Sequence, residues 1–209
     1  MEKTFMEAMD FRHACKVFDE TKKVSDEDMN FILEAGRKSP SSFGMEAWKF
    51  LVITNEELKA KIRPVCWNQV QVTSCSHLVI VLAGIDAVKP SSGEVERKFR
   101  RREMPQEKLD FYLGLYADHL KQTLSSDENI YSWTAKQAYI ALGNMMTAAA
   151  IKGIDSCPIE GFEKDKLDEI LELDLTKYQT AVVVPFGYRI NEQSSQLREK
   201  LENIVEFIK

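Results

Sequence analysis

The chain has little of what most catalytic and scaffold signatures require. Its four cysteines, Cys15, Cys66, Cys75 and Cys157, form no CxxC pair, and its three histidines, His13, His77 and His119, are scattered. That spacing argues against a zinc site or a disulfide framework and for free thiols in a reducing compartment. Basic residues are not in excess: 28 Lys and Arg against 33 Asp and Glu leave a net charge of −5. A polyanion binder needs a strong positive field, so nucleic acid is not an expected partner. No apolar run approaches the ~18 residues of a membrane span, and no basic segment followed by an apolar one opens the chain. A cytoplasmic protein without a membrane partner is therefore expected. GxSxG, P-loop and HExxH motifs are missing, as is a GxGxxG after a strand, which removes the nucleophile-elbow, nucleotide-triphosphate, zincin and Rossmann readings.

What is present is ordinary globular material: 209 residues, 44% hydrophobic and 29% charged, read as one domain over 1–209. Thr4 and Glu7 suit a capping box for a short helix carrying Phe5, Met6 and Met9. Ser25 with Asp26, Glu27 and Asp28 starts a second helix, with Met29, Ile32, Leu33 and Gly36 on its buried face and Pro40 beyond its end. Phe50–Thr54 reads as a strand, Glu56–Ile62 as a polar helix, Leu78–Ala83 as a strand covered on both sides, and Thr180–Phe186 as a third strand. The segment 86–130 is charge-rich and then helical. It reads either as a mobile helical insertion near the active site or as a solvated excursion. Trp133–Lys152 is a helix rich in small residues, closed by Lys152 and Gly153. A capped helix is expected after Phe162. In the tail, 190–209, Leu197, Leu201, Ile204, Val205 and Ile208 have amphipathic helical spacing. Interleaved strands and helices make the class mixed α and β.

Three places could carry chemistry. Arg12-His13-Ala14-Cys15-Lys16 crowds cations that repel unless an anion lies between them. It is either a phosphate site or an exposed basic turn neutralised by Asp10, Asp19 and Glu20. The loop Ser39-Pro40-Ser41-Ser42-Phe43-Gly44 offers hydroxyls and N–H groups. In Pro158-Ile159-Glu160-Gly161-Phe162, Gly161 lets backbone approach a flat ring. Cys15, beside Lys16 and His13, is a candidate nucleophile or an unreactive pocket thiol.

In this order, R-H-x-x-K at Arg12–Lys16, S-P-S-S with Trp48 beyond it and P-I-E-G-F resemble the FMN-dependent nitroreductase family. W-x-A-K-Q-x-Y-I-A-L-G-N at Trp133–Asn144 and A-V-V-V-P-F-G-Y-R at Ala181–Arg189 add to the likeness. The resemblance implies an α+β fold, a mixed central sheet surrounded by helices, in an intertwined homodimer with FMN at the interface. The small-residue helix would pack on its counterpart and the tail would wrap the partner, as a short helix to about Val205 with an extended end.

The resemblance also implies the cofactor contacts. Arg12, His13 and Ala14 meet the phosphate and ribityl chain, and Lys16 meets the N1/O2 edge of the ring. Ser41 and Ser42 come from the opposite subunit and line the ring's other side, and Phe43 of the same loop is a further cofactor contact. Asn68 and Gln71 lie at the polar edge, with Gln137 on the matching helix. Glu160 and Gly161 offer backbone N–H groups toward N5, Pro158 and Ile159 are further cofactor contacts, and Arg198 meets the phosphate. No side chain acts as acid or nucleophile; Lys16 tunes the ring. Ala14, Gln71, Gly44, Glu46, Ala47 and Gln196 depart from the family pattern and imply weaker FMN retention or a more negative potential. Cys15 resembles one branch of the family and leaves the substrate range open.

The implied function is hydride transfer from NADH or NADPH, via flavin N5, to nitroaromatic, quinone or similar small-molecule acceptors in a two-step exchange. Three other readings stay open: a specialised flavin enzyme such as a reductive dehalogenase or ene-reductase, a non-enzymatic FMN-binding protein, and an interaction domain with no cofactor. The cations Arg97–Arg102 could serve a 2′-phosphate if their segment folds over the site.

Overall fold

Side chains that cap the first turns explain where the early helices begin. In the computed structural model, which describes residues 2–209, α1 (Phe5–Phe11) starts on the expected capping box: Glu7 N–H donates to Thr4 Oγ1, and Thr4 N–H to Glu7 Oε2 at 2.7 Å. Ser25 accepts from Asp28 N–H at 3.1 Å and starts α2 (Asp26–Arg37), whose acidic first turn suits the helix dipole. After β1 (Trp48–Ile53), Asn55 caps α3 (Glu56–Val65), and the single-turn α4 (Gln71–Ser74) leads into β2 (His77–Gly84). The region 86–130 contains α5 (Glu94–Arg100) and α6 (Gln106–Thr123). Then follow α7 (Asp127–Ile151), β3 (Asp155–Ser156), α8 (Lys164–Ile170) and β4 (Tyr178–Gly187).

The strands form one sheet in the order β1-β2-β4-β3, each pair antiparallel. The parallel component of a mixed sheet is confined to one isolated bridge, Ala14 with Ser156. All eight residues of β2 are buried because the sheet is covered on both faces. Leu78, Ile80 and Leu82 enter a core with α3 and α8 residues, while Val79, Val81 and Ala83 enter another with α2 and α7. Each of the Leu, Ile and Val side chains contributes roughly 1.5–3 kcal/mol of burial. The segment 86–130 is packed: Val95, Phe99, Leu109, Tyr116 and Leu120 share a third core with Met45 and Ile85.

Three sequence expectations are corrected. Helix α7 begins at Asp127 on a Ser126 cap, six residues ahead of Trp133, because Ser126 accepts from Asn129 N–H at 3.2 Å. Its alanines Ala138 and Ala149 are buried against the chain's own sheet, where small side chains let helix and sheet approach, as a small-residue helix allows. Glu163 precedes α8 without a side-chain cap. The tail is no amphipathic helix. It is extended apart from one 3-10 turn at Leu201–Asn203, and Leu197 and Ile208 are 86% and 92% exposed. Nothing of its own chain covers its apolar side, and spacing alone does not hold a short helix together.

Candidate functional site

Helix α1 delivers Arg12–Lys16 to the margin of the sheet. Cys15 N–H donates to Ser156 O at 3.2 Å, which lays this segment beside β3. Asp155 holds the arrangement: it is 4% exposed and accepts from Arg189 Nε at 2.8 Å and from Arg189 N–H at 2.9 Å. Arg189 also donates to Phe11 O at 3.1 Å. Gln196, at a position where a cation was expected, serves as a clasp. Its amide lies 2.9, 3.0 and 2.6 Å from the carbonyls of Met9, Asp10 and Arg12, which the end of α1 leaves without helical partners.

A cleft of about 420 Å³ opens here, lined by Arg12, His13, Ala14, Ser194, Ser195 and Arg198 among others. A smaller one of about 140 Å³ adjoins it at His13–Val17. Among the described residues, Arg12, Lys16 and Arg198 have no carboxylate partner; Asp19 is engaged with Lys22. The basic turn is thus not neutralised from within, and three unpaired cations suit a phosphate-bearing group. His13 is no fourth cation: burial first, then the charge of Arg189, lower its pKa from 6.5. Its Nδ1 is buried without a hydrogen-bond partner, 3.6 Å from Asp155 Oδ1. Cys15 is buried, and burial, then Asp155, push its thiol up to about 11. That rules out an activated nucleophile at neutral pH.

Lys16 continues toward the segment after β3. Its Nζ lies 3.6 Å from Cys157 Sγ. Gln71 is only 3% exposed, and its Nε2 is directed at Gln69 Oε1 (2.8 Å) and Cys157 Sγ (3.9 Å). Gln69 in turn donates to Gly161 O at 3.0 Å. Asn68 is exposed in a left-handed turn (φ 54°). Pro158 is half-buried, and Ile159 is tied to Val183 by backbone bonds in both directions. Glu160 accepts from Tyr139 Oη at 2.6 Å. Neither Glu160 nor Gly161 donates its N–H among the described residues.

Trp67 escaped the sequence reading. It is 68% exposed, and its ring covers Gly161 so closely that a Cβ there would lie 2.6 Å from Cε3. Its position next to Asn68 was the available signal.

Ser41, Ser42, Phe43 and Gln137 form a separate group. Ser42 N–H donates to Gln137 Oε1 at 2.8 Å. Phe43 and Glu46 are left-handed (φ 54° and 45°), and the 86–130 segment secures this loop. Arg102 donates to Phe43 O at 2.6 Å, Arg101 to Gly44 O at 3.3 Å, and buried Lys98 to Met45 O. Arg97 and Arg100 pair with Glu94 and Glu96. The cations of Arg97–Arg102 are therefore mostly engaged; among the described residues only Lys98 and Arg102 lack a carboxylate, and both donate to loop carbonyls. No hydrogen bond among the described residues joins this group to the Arg12–Lys16 group.

The nitroreductase family model matches residues 9–188. The chain is similar to YfkO of Bacillus subtilis, named as an NAD(P)H nitroreductase: 43% identical over 213 residues, covering 97% of this chain and 96% of that one. A Haemophilus influenzae relative of the same designation is 42% identical over 94% and 93% of the two chains. Among solved structures, a nitroreductase-type protein of Exiguobacterium sibiricum in complex with FMN matches with a TM-score of 0.84 and 26% identity, over 99% and 98% of the chains.

Proposed function

The chain belongs to the nitroreductase family, and on that premise we propose that it is an FMN-dependent NAD(P)H oxidoreductase that reduces nitroaromatic, quinone or similar acceptors as a homodimer. The observation that carries this reading is the unpaired charge of Arg12, Lys16 and Arg198 around two adjoining clefts. When bound, FMN supplies a flat ring that takes hydride from NAD(P)H and passes it to an acceptor. Arg12 and Arg198 would hold its phosphate, with His13 as a neutral hydrogen-bonding neighbour. Lys16 would face the uracil-like edge, where a cation favours electron uptake. The N–H groups of Glu160 and Gly161 would point at the hydride-accepting nitrogen. Donor and acceptor would occupy one face in turn, so orientation supplies the catalysis without a side-chain acid.

The separation of Ser41, Ser42, Phe43 and Gln137 from the Arg12–Lys16 group supports a site completed by a second copy. So does the exposed tail. A groove of about 890 Å³ between α2 and β1 is lined by Phe31, Leu33, Trp48, Phe50 and Val52. β1 is an edge strand, and the partner's extended residues 190–209 would lie along this face. The 86–130 segment would support the Ser41–Glu46 loop beside the site. Among the described residues no helix is long and apolar enough to cross a membrane.

The test is the visible spectrum of the purified protein before and after anaerobic NADH and NADPH. A yellow chromophore bleached by either nucleotide is expected, with parallel initial-rate lines for nitro and quinone acceptors. Colourless protein that ignores added FMN would overturn the reading. A chromophore that neither nucleotide bleaches would leave a binding protein instead.

A further inference from the structure

We propose that Cys157 is a positioning residue: its neutral thiol anchors the Lys16 ammonium at the cofactor edge and thereby helps set the flavin's reduction potential. The inference rests on the FMN reading above. Lys16 is exposed overall, yet its only polar contact among the described residues is Cys157 Sγ at 3.6 Å. A lysine with four flexible bonds and no other anchor would spread into solvent. Cys157 is 0% exposed and rigidly held, its N–H donating to Pro185 O at 3.3 Å and Pro158 following it.

The sulfur is approached from two directions. Gln71 Nε2 lies at 3.9 Å as well, while Pro158 O, also at 3.9 Å, is the acceptor for the thiol proton. Its lone pairs are thus left for the two donors. A thiol is a weak, uncharged acceptor. Burial raises the Cys157 pKa even though Lys16 works the other way, so the group stays protonated at neutral pH. A carboxylate here would fix the lysine and cancel its charge; a neutral thiol fixes it and leaves the charge available to stabilise electron density on a ring. Gln71 adds no second cation, and its amide is directed at Gln69 and this same sulfur. The edge charge therefore depends on one lysine and one anchor.

The experiment compares wild type, Cys157→Ala, Cys157→Ser, Lys16→Met and the Cys157→Ala/Lys16→Met double variant as FMN-loaded proteins. It reads the midpoint potential by dye-coupled anaerobic reduction, FMN affinity by flavin fluorescence, and melting temperature as a check on folding. Cys157→Ala is expected to move the potential in the negative direction, as Lys16→Met does but by less, and to weaken FMN binding roughly fivefold. Cys157→Ser keeps an acceptor and restores both. The double variant should match Lys16→Met alone, because the thiol acts through the lysine. An unchanged potential in Cys157→Ala, or a shift that adds fully to that of Lys16→Met, overturns the proposal while wild type still binds FMN. Wild type that binds no FMN overturns the functional reading, and this inference with it.

Discussion

The Cα of Gly161 lies under the Trp67 ring, in a contact that leaves no room for a methyl group. Gly161→Ala is therefore expected to displace the indole and weaken FMN binding by tenfold or more, seen as a shifted tryptophan emission and loss of the yellow chromophore. Asp155 is a second sensitive point. It is almost fully buried and gathers Arg189, which in turn holds the end of α1. Asp155→Ala strands that guanidinium and should cost about 3 kcal/mol, read as a lower denaturation midpoint in urea. Cys15, by contrast, is shielded. Burial and Asp155 raise its thiol pKa and disfavour a nucleophilic role, so Cys15→Ala should leave the proposed nitro-acceptor reduction rate within about twofold of wild type.

At the scale of elements, cations in α5 and just past its end act on a neighbouring loop. Arg101, Arg102 and Lys98 satisfy successive carbonyls of Phe43, Gly44 and Met45, two of them in residues with left-handed backbone. Arg102→Gln should barely change global stability, because its contact is exposed. It should loosen the Phe43 loop and, if that loop completes a second copy's site as proposed, raise the FMN dissociation constant a few-fold, measured by fluorescence titration. Helix α7 gives the opposite case. Ala149 is fully buried in the core that α7 shares with the sheet, so Ala149→Leu has to push helix and sheet apart. Overpacking of that kind costs about 1–3 kcal/mol, visible as a lower melting temperature.

For the whole molecule, two predictions concern assembly and pH. If the proposed dimer holds, removing residues after Glu192 is expected to give a monomer in sedimentation and to abolish FMN retention, since the proposed phosphate contact of Arg198 and the proposed cover of the α2–β1 groove would both be lost. A truncated chain that remains a dimer would assign the contact elsewhere. His13 and His77 both have pKa values lowered from 6.5, chiefly by burial. As pH falls through 6.5 the unfolded chain takes up protons that the folded chain resists. Their contribution to stability is thus complete above that pH and is lost toward the depressed folded values. Melting temperature should decline between about pH 7 and pH 5, and His77→Gln should flatten that decline.

Local chemistry made much of this legible in the amino-acid order. The capping box at Thr4, the acidic start of α2, the two-sided burial of β2 and the Lys152–Gly153 stop each depend on residues adjacent in the chain, as do the Arg12–Lys16 and Pro158–Gly161 motifs. The fold class followed from their alternation. Contacts between distant segments were settled only in three dimensions. Trp67 lies on Gly161, Gln196 clasps α1, Cys157 meets Lys16, and α5 grips the Phe43 loop; no periodicity encodes such meetings. The tail shows the same limit from the other side. Its apolar spacing reads as a helix, but an amphipathic stripe becomes helical only against a surface that covers it, and this chain by itself provides none.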